Sequence, residues 1–243
     1  MVELTYVGFH AVFVAPPLFV LASVAVNRTR PARPVVRTIP VVAILVMALA
    51  YTTPWDNYLI HRGVWWYGDG VVAGRLWLAP IEEYLFVLLQ PIVATLWLGT
   101  IATAFEWPSE RVEMRLRDRL LGVAAAAVVG VVGLAMLTRP ATFYMGAILS
   151  WASPVLALQW AVGWRYLLAR WRLTAIGTLG PAVYFSAADR IAIEYGIWTL
   201  ADRYTTGLTI GGLPIEEGTF FLVTTLFVVQ GLVLYPWVIE RWR

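Results

Sequence analysis

The sequence lacks cysteine and lysine and has only two histidines. Without cysteine, the chain forms no disulfide and offers no thiolate for catalysis or for zinc. Without lysine, it cannot carry a retinal Schiff base, which needs an amine, so a microbial rhodopsin is excluded. His10 and His61 are too few for a histidine-based metal centre, and no Gly-x-Gly-x-x-Gly dinucleotide fingerprint is present. We therefore expect neither a metal nor a bound cofactor.

Charged residues are also scarce. Only 14% of the 243 residues are charged, 60% are hydrophobic, and the mean hydropathy is +0.72. A soluble domain is not this apolar, whereas a membrane-spanning helix needs about 20 mostly apolar residues. The first apolar segment has no basic start and no small-residue cleavage site, which favours a spanning helix over a signal peptide. We predict an all-α polytopic membrane protein with seven transmembrane helices, at residues 4–26, 38–58, 79–102, 119–138, 141–164, 174–198 and 213–237.

The charges that are present indicate orientation. All 18 basic residues are arginines, and most of them follow the first, third, fifth and seventh segments. By the positive-inside rule, this asymmetry predicts a cell-membrane protein with its N-terminus outside and its C-terminus in the cytoplasm. Because these arginines lie between apolar segments, the pI of 9.3 reports topology and does not indicate nucleic acid as a partner. The arginines on the predicted cytoplasmic side are Arg28, Arg30, Arg33, Arg37, Arg111, Arg115, Arg117, Arg119, Arg165, Arg170, Arg172, Arg241 and Arg243.

The two halves of the chain are related by an internal repeat. Aligned with itself, the chain pairs Asp56 with Asp189 and, after one inserted position, Pro-Ile-Glu-Glu at 80–83 with the same tetrapeptide at 214–217. Segments displaced by four helices have the same orientation in the membrane, so we predict two parallel three-helix repeats joined by a bridging helix. The predicted units are a first repeat at 1–104, a basic loop with the bridging helix at 105–139, and a second repeat at 140–243.

Each Pro-Ile-Glu-Glu begins an apolar segment and so places paired carboxylates just inside the membrane. Proline suits the first turn of a helix and glutamate suits its positive end, which would explain a single such glutamate structurally. Adjacent helical residues point about 100° apart, so one glutamate of each pair has to face the protein interior or lipid. Buried membrane carboxylates are functional by default. The parallel repeats bring six acids to one depth: Asp56, Glu82, Glu83, Asp189, Glu216 and Glu217.

The doubled motif Pro-x-Glu-Glu-x-x-Phe reads PIEEYLF at 80–86 and PIEEGTF at 214–220. In a small seven-helix membrane chain it resembles the membrane lycopene β-cyclases, over nearly the whole sequence. The resemblance implies an enzyme that closes the linear ends of membrane-dissolved lycopene into β-ionone rings without net redox change. It implies a protonated carboxylic acid as proton donor, and a carboxylate that stabilises the carbocation and accepts a proton. The implied site residues are Glu82, Glu83, Glu216, Glu217, the upstream pair Asp56-Asn57, and Asp189.

The second half departs from the first, because Arg190 stands where Asn57 does. An arginine at that position would either hold a partner glutamate ionised or form a local ion pair with Glu194. The Asp56-Asn57 pair would either take part in the chemistry or simply close its helix. The sequence leaves both alternatives open.

Other functions use the same features. A carotenoid hydratase or a cyclase of C50 carotenoids would start from the same protonation. A proton-coupled transporter would also keep paired membrane carboxylates and a repeat. A transporter needs polar residues through the inner halves of its helices, however, and residues 40–50 and 222–234 are almost wholly apolar.

From the sequence alone, Glu82→Gln or Glu216→Gln is expected to abolish cyclisation while the protein still inserts, because glutamine cannot transfer the proton. The measurement is the pigment extracted from lycopene-accumulating bacteria that express each variant. Full activity in both variants would contradict an acid–base role for these two glutamates.

Overall fold

The structure, a computed structural model, describes residues 4–27, 37–105 and 112–242. Three short 3-10 turns, at Ala102–Ala104, Pro140–Thr142 and Asp202–Tyr204, lie between its helices. The long helices of the described residues are α1 (Tyr6–Val26, with a π-helical turn at His10–Val14), α2 (Thr38–His61), α3 (Ile81–Ile101), α4 (Leu116–Met136), α5 (Phe143–Ala169), α6 (Trp171–Glu194) and α7 (Ile215–Trp242).

Six of these helices are long and apolar enough to cross a membrane, so the described chain is that of a multi-pass membrane protein. The exception is α6, which the sequence predicts to span at 174–198. It carries Arg172, Asp189, Arg190 and Glu194 together with two glycines, two threonines and one serine, and these lower its hydropathy. A helix with such residues enters a membrane only when they face protein or the interface. A seventh span therefore stays a prediction.

Helices α3 and α7, which begin with the two Pro-Ile-Glu-Glu motifs, form the centre of the bundle. Helix α3 packs against α1, α2, α6 and α7, and helix α7 packs against α2, α3, α5 and α6. Where the two cross, Gln90 donates from Nε2 to Oγ1 of Thr225 at 3.0 Å. The two motif helices are thus held against each other by a buried polar contact.

Helix α4 lies outside this centre and packs closely along α5. Its contact face is a stripe of small residues, Gly122, Ala126 and Gly130, spaced by four. One turn further, a Cβ on Gly133 would lie only 2.5 Å from the backbone nitrogen of Ser150. Small residues at this spacing let two helix backbones approach within a membrane.

Helices α2 and α6 end in the same way. Each is followed by a glycine in the left-handed region, Gly63 at φ 67° and Gly196 at φ 70°, where a side chain would be strained. In both turns the next amide N–H donates at 3.0 Å to the carbonyl five residues back. The chain then enters β1 (Trp65–Tyr67) or β4 (Trp198–Leu200), and these strands pair antiparallel with each other.

Short hairpins connect these strands to the motif helices. Strands β2 (Arg75–Leu76) and β3 (Ala79–Pro80) precede α3, and strands β5 (Thr209–Ile210) and β6 (Leu213–Pro214) precede α7. These strands were not predicted from the sequence, because ladders of two or three residues leave no hydrophobic periodicity to detect. Together they form short antiparallel ladders at one end of a mostly helical protein.

The packing of α4 on α5 is testable with one substitution at two positions. Ala126 is fully buried against α5, whereas Ala124 is exposed on the opposite face of α4. We expect Ala126→Val to lower the free energy of unfolding by about 1–3 kcal/mol, since added methyl groups overpack the interface. Ala124→Val is the matched control and should change it little. Thermal unfolding in detergent measures both, and equal shifts would contradict the close approach of the helices.

Candidate active site

The six acidic residues selected from the sequence lie at one end of the bundle, where α2 and α6 end and α3 and α7 begin. Five of them are buried, and Glu83 is partly buried because it borders open space. Carboxyl groups at such depth are costly unless they are hydrogen-bonded, protonated or both. Their neighbours therefore decide what each can do.

One cavity of about 50 Å³ collects four of these acids, Asp56, Glu83, Asp189 and Glu217. They come from four different helices, two in each half of the chain. Among the described residues, no three histidine, aspartate or glutamate side chains are arranged to hold a metal ion. The rest of the cavity wall consists of ten aromatic residues, among them Tyr6, Trp55, Tyr67, Phe86, Tyr144 and Phe220.

Two phenols hold Glu83 in place. The hydroxyls of Tyr6 and Tyr67 both donate to Glu83 Oε2, at 2.9 and 2.8 Å, and Trp65 Nε1 donates to the Tyr67 hydroxyl at 3.1 Å. Burial and the neighbouring Glu83 carboxylate raise the pKa of Tyr67 well above its usual value near 10. Tyr67 therefore keeps its proton and remains a donor to Glu83. Because both phenols donate to Oε2, neither of them binds Oε1 of Glu83.

In the second half, the aromatic neighbours are divided between two acids. Tyr144 lies beside Glu217 and interacts with it electrostatically, and Trp198 Nε1 donates to Asp189 Oδ1 at 3.0 Å. The other oxygen of Asp189 is buried without a hydrogen-bond partner. Four acids around one small space repel each other when ionised, so this cluster favours holding at least one proton.

The first glutamate of each motif points away from the cavity. Glu82 Oε1 accepts from the backbone N–H of Ala73, and Glu216 Oε1 accepts from the backbone N–H of Thr206, both at 2.7 Å. These contacts tie the loop before each hairpin to the first turn of the motif helix. The structure therefore separates the two glutamates of each pair, which the sequence pattern leaves equivalent.

Asn57 and Arg190 also lie outside the cavity wall. Asn57 Oδ1 accepts from the backbone N–H groups of Leu78 and Ala79, at 2.9 and 3.2 Å, just before α3. Arg190 forms an ion pair with Glu194 at 3.4 Å, with both side chains largely exposed. Of the alternatives for Arg190, the structure favours the local ion pair, and Asn57 holds the start of α3.

Stacked aromatic rings lie at the boundary between the carboxylate cavity and a larger groove. Trp55 stacks on Phe220, with ring centroids 5.8 Å apart and planes 3° apart, and on Trp151 at 4.9 Å. The groove has a volume of about 260 Å³ and shares Glu83, Phe86 and Phe220 with the cavity. Both phenylalanines of the doubled motif thus face the site.

The tyrosines that contact the acids were missed from the sequence. Tyr6 and Tyr144 approach Glu83 and Glu217 from α1 and α5. The number of residues from Tyr6 to Tyr144 is slightly larger than the shift that aligns the repeated motifs of the two halves. An alignment that allowed a gap before α5 would have paired them. Tyr67 had no such signal, because the equivalent residue of the second half is Leu200.

Comparison with known proteins gives a consistent result. A family model described as lycopene cyclase matches residues 4–102 and 141–235. The chain is 54% identical over 239 residues to a lycopene beta-cyclase of Halobacterium salinarum, covering 98% of this chain and 99% of that protein. It is 30% and 29% identical to bifunctional lycopene cyclase/phytoene synthases of Gibberella fujikuroi and Blakeslea trispora, over 39% and 38% of their lengths. No solved structure matches the chain.

The loop-holding role of Glu82 and Glu216 can be separated from proton transfer by two substitutions. We expect Glu82→Ala and Glu216→Ala each to lower the free energy of unfolding by about 1–3 kcal/mol, because a loop amide loses its hydrogen-bond acceptor. Glu82→Gln and Glu216→Gln keep an acceptor oxygen and should be nearly as stable as the parent protein. Thermal unfolding in detergent measures the difference. Equal destabilisation by alanine and glutamine would contradict the role drawn from the geometry.

Proposed function

The chain belongs to the lycopene cyclase family, and we propose on that basis that it is a lycopene β-cyclase. It converts lycopene to β-carotene by way of γ-carotene, closing one linear end at a time into a β-ionone ring. The single observation that carries a mechanism is the convergence of Asp56, Glu83, Asp189 and Glu217 on one aromatic-walled cavity. Since both halves of the chain line this cavity, we propose one site per chain that acts on the two ends in turn.

The reaction needs a proton donor and a proton acceptor and no electron transfer. A carboxylic acid protonates the terminal double bond and leaves a tertiary carbocation. The neighbouring double bond attacks this cation and closes the six-membered ring, which moves the positive charge into the ring. A carboxylate then removes a ring proton, and the product has the same atoms as the substrate. General acid–base steps of this kind contribute about 10²–10⁴-fold to a rate.

We assign the two proton-transfer roles to Glu217 and Glu83. Hydrogen bonds to an ionised group stabilise it, and Glu83 receives two phenolic donors on one oxygen. The ionised form of Glu83 is therefore better stabilised than that of Glu217. This suits Glu83 to stabilise the cation and to accept the proton. Glu217 lies near Asp189 and has the single phenol of Tyr144, so it is suited to hold and deliver the proton. This assignment replaces the expectation that Glu82 and Glu216 carry the chemistry.

The aromatic wall supports the same chemistry. The face of an aromatic ring attracts a cation within about 6 Å, most strongly when water is absent. Trp55 and Phe220 present stacked rings at the cavity, and Phe86 closes it beside Glu83. Such a wall stabilises a carbocation without offering a nucleophile that would capture it.

We further propose the architecture of two parallel three-helix repeats, 1–104 and 140–243, with 105–139 as the linker and α6 as a seventh span. The family model matches two stretches and leaves the linker unmatched, which supports this division. Strands β1 and β4 occupy equivalent places and pair with each other, as an approximate two-fold axis requires. In α6, Asp189 faces the cavity, which gives one of its charges a place inside the protein.

The proposed orientation places the carboxylate cavity near the outer face of the cell membrane. Arg37 precedes α2, and Arg170 and Arg172 lie at the turn into α6. These positions are at the opposite end of the helices from the cavity, as the positive-inside rule requires of the cytoplasmic side. The other arginines behind this prediction include some that lie outside the described residues, namely Arg28, Arg30, Arg33, Arg111 and Arg243.

Expression in bacteria that accumulate lycopene, followed by chromatography of the extracted pigment, tests the function. We expect the parent protein to produce β-carotene. Glu217→Gln should lower the conversion at least about 100-fold, because it removes the proton donor. Glu83→Gln should lower it similarly, and Glu82→Gln, which keeps the loop contact, should stay within about 10-fold of the parent protein.

The controls separate the outcomes. Each variant is compared at equal amounts of membrane-inserted protein. Full activity of Glu83→Gln and Glu217→Gln would contradict the assigned roles, even if the parent protein makes β-carotene. Unchanged lycopene, a hydrated product or activity only on C50 carotenoids from the parent protein would contradict the cyclase function itself.

A further inference from the structure

The groove beside the carboxylate cavity runs along the motif helices into the membrane. It begins at Glu83, Phe86 and Phe220, which it shares with the cavity, and follows α7 as far as Gly231. The helix from Phe220 to Gly231 is about 16 Å long. Helices α2, α3, α5 and α7 supply its walls, so the groove continues the site in one direction only.

One side of the groove is open. Met47 on α2 and Leu158 on α5 both line it, and they are 60% and 65% exposed. Both residues lie in the middle of helices that are long and apolar enough to span the membrane. In a bilayer this opening therefore faces lipid, and a hydrophobic molecule reaches the groove without passing through water.

Most of the polar side chains that line the groove donate hydrogen bonds to other groups of the protein. Gln90 Nε2 donates to Thr225 at 3.0 Å, Gln159 Nε2 donates to the carbonyl of Phe227 at 2.8 Å, and Thr224 Oγ1 donates to the carbonyl of Phe220 at 2.9 Å. Apart from Glu83 at its head, the groove carries no charged residue along its described wall. Its surface suits a long apolar chain.

In the other half of the protein, a large side chain fills the space at the position that corresponds to Gly231. The alignment that pairs the two Pro-Ile-Glu-Glu motifs also pairs Gly231 on α7 with Trp97 on α3. The Trp97 indole fills the space between α3 and α6: its Nε1 donates to the carbonyl of Ile176 at 3.0 Å, and a Cβ on Gly180 would lie 2.7 Å from its ring. At Gly231 the first atom a Cβ would meet is Cδ1 of Ile44, at an ordinary contact distance of 3.5 Å.

We propose that this groove holds the conjugated chain of the carotenoid while its linear end lies at the carboxylate cavity, and that Gly231 keeps the groove open. The proposal rests on the proposed function and adds to it the path of the substrate and a residue that determines which substrates fit. Glu83 and Phe220 border both spaces, so a chain in the groove directs its end toward the acids. The substrate enters sideways from lipid between α2 and α5.

Filling the groove at Gly231 tests the proposal. We expect Gly231→Trp to lower the conversion of lycopene at least about 100-fold, since the indole would occupy the space that Trp97 occupies in the other half. Leu222→Trp is the matched control: it adds the same bulk to an exposed position of α7 outside the groove, and its conversion of lycopene should remain within about three-fold of the parent protein.

A shorter substrate distinguishes a blocked groove from a damaged protein. An acyclic polyene with the same end group, but short enough to end before Phe227, about 10 Å along α7 from Phe220, does not reach Gly231. The Gly231→Trp variant should therefore convert this short polyene to within about three-fold of the conversion by the parent protein. Equal loss with the long and the short substrate would overturn the proposal, as would normal conversion of lycopene by Gly231→Trp.

Binding is measured separately from turnover. Detergent-purified Glu217→Gln is expected to retain lycopene, and the double variant with Gly231→Trp is expected to retain at least about ten-fold less by absorbance per protein. Equal retention would overturn the proposal. A parent protein that does not cyclise lycopene would contradict the proposed function, and this outcome is separate from any effect at Gly231.

Discussion

The clustering of four acidic side chains among aromatic rings, three of them buried, inside a membrane protein is the constraint on which the rest of this structure depends. An isolated buried charge is costly, and several like charges around one space also repel each other. Hydrogen bonds from phenol and indole groups reduce this cost. Tyr6 and Tyr67 donate to Glu83, and Trp198 donates to Asp189. These donors come from separate parts of the chain, so the site forms only when the whole bundle is assembled.

The first glutamate of each motif shows how the same constraint shapes the backbone. Glu82 and Glu216 place their oxygens on the amides of Ala73 and Thr206, and Asn57 holds the amides that lead into α3. The loops and hairpins over the site are thereby tied to the helices that carry the acids. We interpret one glutamate of each pair as a support for the fold and the other as the reactive group, although both belong to the same short motif.

The two halves differ in how their equivalent helices pack and in the phenols that surround their acids. Trp97 closes the contact between α3 and α6, whereas Gly231 leaves the equivalent contact between α7 and α2 open. Glu83 has two phenols, whereas Glu217 has one. A symmetric site would bind its substrate equally from both sides. The observed divergence gives the proposed reaction one direction of approach and two acids with different surroundings.

Much of this protein was determined by the sequence itself. Long apolar runs predicted the positions of the six helices that are long and apolar enough to span a membrane, to within about five residues at each end, because helix length and hydropathy are local properties. The repeated motif predicted that six acids lie at one end of the bundle, and they do, since equivalent segments of the proposed parallel repeats would share their orientation. The tertiary structure decided which glutamate of each pair faces the cavity, that Tyr6, Tyr67 and Tyr144 lie against the acids, and that a groove is open beside Gly231. Those features depend on the distances between helices that are far apart in sequence, and helical periodicity carries no information about such distances.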